Sequence, residues 1–343
     1  MLNNEGVLLT DTEEIQKEAL NYYETLFKDL PMDAEYTKIQ EDKEKLCKTR
    51  LKICAQIRTE PWTIEDLEIA LKNLKNGTSQ DPYGYANELF KTEVAGHDLK
   101  VAIVKLVNKI KEQQKIPESI QLCNINSLYK RKGARNKFSS YRGIFRVTVV
   151  RSILDRLIYN DMYQIMDNNL SDCNVGNRRG RNIRDNLFVL NAIQNSMKRK
   201  SEDPVDIAIY DVMKCFDTLW AHEAINDAFD IGFQNDKLPL VFLASESASI
   251  AVKSSCGTSE RRTINNTIMQ GTVWAGMLCT STLDKLGKLV YDNPTLAYKY
   301  RGQVVVPPLE MVDDVLTVSK CGTTAVAMNS LVNAFMTSKK TEA

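Results

Sequence analysis

Histidine is nearly missing from this chain: 343 residues contain only His97 and His222. Eight cysteines are present, yet no two stand in a Cys-x-x-Cys pair. Zinc sites draw on closely spaced cysteine and histidine ligands, so a zinc-centred protein is not expected. The scattered thiols suit a reduced, intracellular protein instead. No run approaches the roughly 18 uninterrupted apolar residues of a membrane helix, and no membrane partner is expected. The opening MLNNEGVLLTDTEE lacks the basic and apolar regions of a secretory leader. Internal repeats and low-complexity tracts are also lacking.

Overall charge of one sign is absent too, since the formal net charge is +1. The balance hides an asymmetry. From Ser127 to Lys200 there are 16 Lys and Arg against 5 Asp and Glu, a local charge of +11, which leaves −10 for the remainder. Such a split suggests a basic surface facing a polyanion; a solvated basic face without a partner is the plainer reading.

The periodicity gives a coarse map. Residues 1–60 read as charged amphipathic helices. A helix opens after Thr63, where Asp66 completes a capping box, and Gly77 is expected to stop it. Helices are expected in VAIVKLVNKIKEQ, TVVRSILDRLIYNDMYQIM, IRDNLFVLNAIQNSMKRK and TAVAMNSLVNAFMTSKK. VDIAIYDV reads as a buried strand, SIAVKSS and RRTINNT as a hairpin, and residues 298–318 as two or three strands with a tight turn. A helical, basic N-terminal half followed by an α+β half results.

The sharpest local feature is VVVPPLEMVDDVLTV, residues 304–318, an apolar run broken by Asp313 and Asp314. A carboxylate in an apolar surround costs on the order of several kcal/mol unless it is paired or bound to a metal. Asp211 ends the strand-like VDIAIYDV, with Phe216 and Asp217 close behind. In IMQGTVWAG, Gln270-Gly271 stands at a strand-to-helix transition. Were Asp211 to meet the pair on neighbouring strands, three carboxylates would repel, and divalent cations would relieve them. Magnesium prefers carboxylate and phosphate oxygens, and two ions about 3.5–4 Å apart clamp a phosphoryl displacement. Alternatively, an Asp-Asp turn simply caps backbone amides.

The order and spacing of these pieces resemble the reverse transcriptase family, and within it the RNA-directed DNA polymerases of LINE-type (non-LTR) retrotransposons. That family carries an Asp strand with an aromatic residue five positions on, then a Gln-Gly element, then an aromatic-x-Asp-Asp hairpin. Asp211 with Phe216, Gln270-Gly271 and Met311-Val312-Asp313-Asp314 match in that order. Upstream, LKNLKNGTSQDPYGYANELFK, LYKRKGARNKFSSYRGIFRVTVVRSILDRLI and NVGNRRGRNIRDNLFVLNAI are similar to further family segments. The likeness runs from about Pro61 to Phe335.

The resemblance implies an α+β right-hand polymerase with helical fingers and an antiparallel palm sheet packed on helices. Residues 1–60 would be a helical lead-in, 61–204 the basic, mostly helical fingers, and 205–343 the palm. The chain would then end before the thumb and lack the endonuclease. It further implies addition of dNTPs to a primer 3′-hydroxyl, with an RNA template and a DNA primer as partners. Two Mg²⁺ ions, for which Mn²⁺ can substitute, would be held by Asp211, Asp313 and Asp314. Phe216 would exclude a 2′-hydroxyl, and Arg142, Lys130 and Lys132 would hold the triphosphate. Gln270 and Gly271 would line the floor of the nucleotide site. Arg178, Arg179, Arg181 and Arg184 would track the template backbone. No oligomeric state is implied, and a nuclear rather than cytoplasmic location comes from the resemblance alone.

The chain departs from the family pattern at four places, two of them residue pairs. Met311-Val312 replaces aromatic-Ala, Ala275-Gly276 replaces Ser-Pro, Tyr83 stands for Asp, and Asn177 stands for Phe. The competing reading is a catalytically incompetent or domesticated fragment that binds RNA without copying it.

Overall fold

The computed structural model describes residues 1–3, 5–27, 34–91, 94, 96–200, 205–212, 219–246, 248–254, 257–264, 268–320 and 322–339. They form two compact units, each assembled from two stretches of chain. The first takes Met1–Met162 and Gln234–Ala275, the second Tyr163–Phe233 and Gly276–Ala343. The expected division between 204 and 205 therefore falls inside the second unit. Among the described residues no helix is long and apolar enough to cross a membrane.

In the first unit, helix α1 (Thr12–Phe27) is started by Asp11, whose Oδ1 accepts the Glu13 and Glu14 amides. Its Leu20, Tyr23 and Phe27 fall at helical spacing and are buried. Helix α2 (Ala34–Cys54) is charged on its outer face. The capping box forms as expected, with Asp66 N donating to Thr63 Oγ1 and Thr63 N to Asp66 Oδ2, and starts α3 (Ile64–Lys72). That helix stops at Asn73, before Gly77. Gly77 occupies a later turn at φ +65°, where its N–H donates to Glu88 Oε1. Helix α4 (His97–Gln113) follows.

Two strands not anticipated from the basic segment come next, β1 (Leu122–Tyr129) and β2 (Tyr141–Val147), paired antiparallel from Cys123↔Val147 to Tyr129↔Tyr141. Helix α5 (Val149–Asp167) leads out of β2. The expected hairpin is present as β4 (Ala248–Ser254) with the short β5 (Gly257–Thr258) and β6 (Arg262–Ile264). It joins β1 in parallel register, giving a five-stranded sheet. Gly143 lies against Tyr23, where an added Cβ would come within 2.5 Å of the ring.

In the second unit, α6 (Ile183–Lys200) begins where Asn182 accepts the Arg184 amide and Asp185 accepts the Asn182 amide, a second reciprocal cap. Strands β3 (Val205–Asp211), β9 (Leu309–Met311) and β10 (Asp314–Lys320) form an antiparallel sheet in the order β3-β10-β9. A separate ribbon pairs β7 (Lys299–Tyr300) with β8 (Val304–Val305), so residues 298–318 contribute four strands rather than two or three. Val212 and Val315 pack with Leu283, Leu286 and Val290 of α9 (Ala275–Asp292) and with Val332 and Phe335 of α10 (Thr323–Ser338). Each such fully buried side chain contributes about 1.5–3 kcal/mol. Val318, on the opposite sheet face, packs against Ile193 of α6 and Tyr298.

The expectation of a buried β3 is corrected. Ile207 and Ile209 are 53% and 74% exposed, because β3 is the outer strand of its sheet. Helices α7 (Ala221–Asp230) and α8 (Leu238–Glu246) complete the described elements. Asp227 of α7, almost wholly buried, is paired with Lys285 at 2.5 Å and Lys339 at 3.0 Å, tying α7 to α9 and to the end of α10. Among the described residues, Cys47, Cys54, Cys123, Cys173 and Cys279 form no disulfide. Burial pushes Cys47 and Cys123 up to about 12, far from a reactive thiolate.

Candidate active site

In the second unit, Met311 pairs with Asp314, leaving Val312 and Asp313 as the two-residue turn between β9 and β10. Such hairpin turns need a positive φ at their first position, and Val312 adopts φ +61°. A β-branched residue is strained there, at a cost of roughly 1–3 kcal/mol that the surroundings must offset. On the other side of β10, Asp314 lies directly opposite Asp211, and Val212 N donates to Asp313 O at 3.0 Å. Residues facing each other across such a ladder have Cα atoms about 4.5–5.5 Å apart. The three expected acids therefore share one end of one sheet.

None of the three carboxylates has a hydrogen-bond or ion-pair partner among the described residues. Burial, then Asp313, then Asp211 raise the Asp314 carboxyl above its ordinary value. As they stand, no three acid, histidine or cysteine side chains among the described residues close on one point as a metal cage. The donor set nonetheless fits a hard divalent cation that takes its remaining ligands from substrate phosphates. It consists of oxygens only, crowded, and uncompensated by any described cation. Phe216 lies outside the described residues.

Loop 171–178 braces the turn from behind. Val175 N donates to Glu310 O at 3.0 Å and Glu310 N to Cys173 O at 3.1 Å, while Asn174 Nδ2 reaches Glu310 Oε2 at 2.6 Å. Gly176 passes so close that an added Cβ would sit 2.5 Å from Val312 N. Arg178 belongs to this brace. Its buried guanidinium donates to Asp167 Oδ1, Asp167 O, Ser171 O and Asn174 O. The expected template contact is corrected for this residue, since its donors are engaged inside the unit. Arg181 pairs with Asp172 at 2.5 Å, Arg179 lies over the Tyr163 ring, and Arg184 is exposed in the first turn of α6.

Two departures from the expected pattern meet here. Asn177, at φ +57°, donates through Nδ2 to Gly276 O and Thr280 Oγ1, both at 3.0 Å. A Cβ on residue 276 would lie 2.6 Å from Asn177 Oδ1. The side chain at 177 is thus accommodated by the missing one at 276.

In the first unit, Phe145 N donates to Gln270 O at 2.8 Å, which sets Gln270-Gly271 against β2. Gly271 has φ +114°, and a Cβ there would lie 2.9 Å from Phe145 O. A cleft of about 670 Å³ is lined by Gly271, Thr272, Asn126, Ile144, Arg146 and Arg156. Strand alternation places Arg142, exposed, on the same side of β2 as Ile144 and Arg146. Lys132 is exposed in the β1–β2 connection, and Lys130 Nζ donates to Ser139 O. Arg146 went unnoticed in the sequence although YRGIFRV alternates visibly; its guanidinium donates to Ser79 O and Asn87 Oδ1. Glu310 was also missed, although it is the lone acid within the apolar run preceding the pair.

A family model described as reverse transcriptase (RNA-dependent DNA polymerase) matches residues 130–340. No curated protein matches the chain.

Proposed function

The chain belongs to the reverse transcriptase family of RNA-directed DNA polymerases, and from that premise we propose that it is the fingers and palm of a non-LTR retroelement polymerase. It would extend a DNA primer along an RNA template by two-metal phosphoryl transfer. Residues 61–204 would supply the fingers and 205–343 the palm. The reading is supported above all by the unpaired acids Asp211, Asp313 and Asp314 at one sheet end, in the family's order.

In this reading Asp211, Asp313 and Asp314 would hold two Mg²⁺, or Mn²⁺, against the triphosphate. The bound ions would supply Lewis-acid activation of the primer hydroxyl and neutralise the leaving pyrophosphate. The chain itself would contribute position and electrostatics. Arg142 presents a planar fork that matches phosphate oxygens, with Lys130 and Lys132 as point charges in the adjoining connection. Gln270 and Gly271 would floor the nucleotide site, where a backbone without Cβ permits close approach. Phe216 would leave no room for a 2′-hydroxyl. Arg179 and Arg184 would meet the template backbone, with Arg181 able to exchange Asp172 for a phosphate.

Primer extension tests the proposal. With an annealed RNA template, dNTPs and Mg²⁺, the full chain should incorporate nucleotides. Asp211→Asn and Asp313→Asn should each lower the rate by about 10³-fold or more, the loss of several kcal/mol of charge stabilisation. Template binding without incorporation, even with Mn²⁺, would instead establish the RNA-binding fragment. Hydrolysis of dNTPs without a template would point to a phosphohydrolase.

A further inference from the structure

Glu310 is 2% exposed and stands three residues before Asp313. Its peptide group is held on both sides by loop 171–178, and its carbonyl also accepts from Asn186 Nδ2. Its side chain accepts from Asn174, which is itself 1% exposed and donates as well to Thr280 O. The second carboxyl oxygen, Oε1, has no hydrogen-bond partner among the described residues, and neither has Oδ2 of the buried Asp284. A requirement for packing alone would be met by two apolar residues at 174 and 310. Instead a buried polar pair is kept, and removing either member strands the other, which costs about 1–3 kcal/mol. The pair lies immediately behind the strained turn: Gly176, two residues after Asn174, touches Val312, two residues after Glu310.

We propose that Glu310 is a positioning residue: its side chain, gripped by Asn174, locks loop 171–178 onto β9 and so holds the Val312–Asp313 turn in the shape that presents Asp313 and Asp314. This rests on the reading of those acids as the catalytic site. Burial, then the charge of Asp284, push the Glu310 carboxyl well above the usual range. Glutamine keeps the shape of that side chain, and its carbonyl can still accept from Asn174. Leucine keeps the volume and removes the acceptor.

The test compares the full chain with Glu310→Leu and Glu310→Gln in two measurements. The first is hydrogen–deuterium exchange of the peptide covering residues 309–315. In Glu310→Leu this exchange should speed up by about tenfold or more, while Glu310→Gln should match the parent. The second is single-nucleotide extension. Here Glu310→Leu should lower kcat by about 10- to 100-fold with the KM for dNTP within about twofold, and Glu310→Gln should restore kcat to within about threefold. Unchanged exchange in Glu310→Leu, or a Glu310→Gln as impaired as Glu310→Leu, would overturn the proposal. If Glu310→Leu does not fold, Asn174→Ser takes the same two measurements with the same expectations. Should the parent incorporate nothing at all, the polymerase reading fails, while the exchange measurement still decides what Glu310 does to the turn.

Discussion

At Val312 a branched side chain sits in left-handed backbone, at Gly176 a missing Cβ lets a loop touch it, and at Glu310 a carboxyl is buried beside Asp284. These residues make the turn rigid in ways that a titration can follow. Glu310 is raised in the folded protein, whereas in the unfolded chain it titrates near about 4.3. Above that value the fold retains a proton that the unfolded chain has lost. Stability therefore falls as pH rises from the unfolded value through the folded one, and is level beyond it. Glu310→Gln should flatten this decline when unfolding free energies are measured by denaturant titration across the range. The residual slope should belong to Asp284, whose carboxyl is also raised, chiefly by burial. An unaltered pH profile in Glu310→Gln would show that Glu310 is not the group responsible.

Among the elements, the contact between loop 171–178 and the start of α9 is where this chain leaves its family's pattern twice. Asn177 hydrogen-bonds the Gly276 carbonyl, and the space over Gly276 is filled by that same side chain. Gly276→Ala should destabilise by about 1–3 kcal/mol through overpacking. Asn177→Ala should cost about 1 kcal/mol through lost hydrogen bonds. Together they should cost at least about 1 kcal/mol less than the sum, since the truncated side chain makes room for the new methyl group. Additive losses in a thermal-unfolding cycle would show that the two departures are unrelated.

These elements also mark what could be read in advance. The capping box at Thr63 and the bounds of α6 are local signals, fixed by residues three or four apart, and both formed where expected. The Met311–Asp314 hairpin was legible for the same reason. Pairings across long separations were not. Nothing within LCNINSLY announces that it will lie parallel to SIAVKSS more than a hundred residues later. Nor does VDIAIYDV reveal that its sheet ends with it, so Ile207 and Ile209 read as buried when they are exposed. The role of Arg178 was not legible because a run of arginines looks alike in sequence, although of Arg178, Arg179, Arg181 and Arg184 only Arg178 is buried.

For the whole molecule, two units built from interleaved stretches of chain each carry part of the expected machinery. Arg142, Gln270 and Gly271 gather around β2 in one, and the three acids gather at the β3–β10 end in the other. The positive excess of residues 127–200 is shared between the two units, as expected if both meet a polyanion. Everything proposed about activity depends on whether Asp211 and the tandem acids take up metal. The most direct measurement is anomalous diffraction from crystals of the chain grown with Mn²⁺, a primer–template and a non-hydrolysable dNTP analogue. Manganese peaks within about 2.0–2.5 Å of carboxylate oxygens of Asp211 and of Asp313 or Asp314 are the predicted result. Manganese bound elsewhere, with these three carboxylates free of metal in the nucleotide-bound crystal, would contradict it.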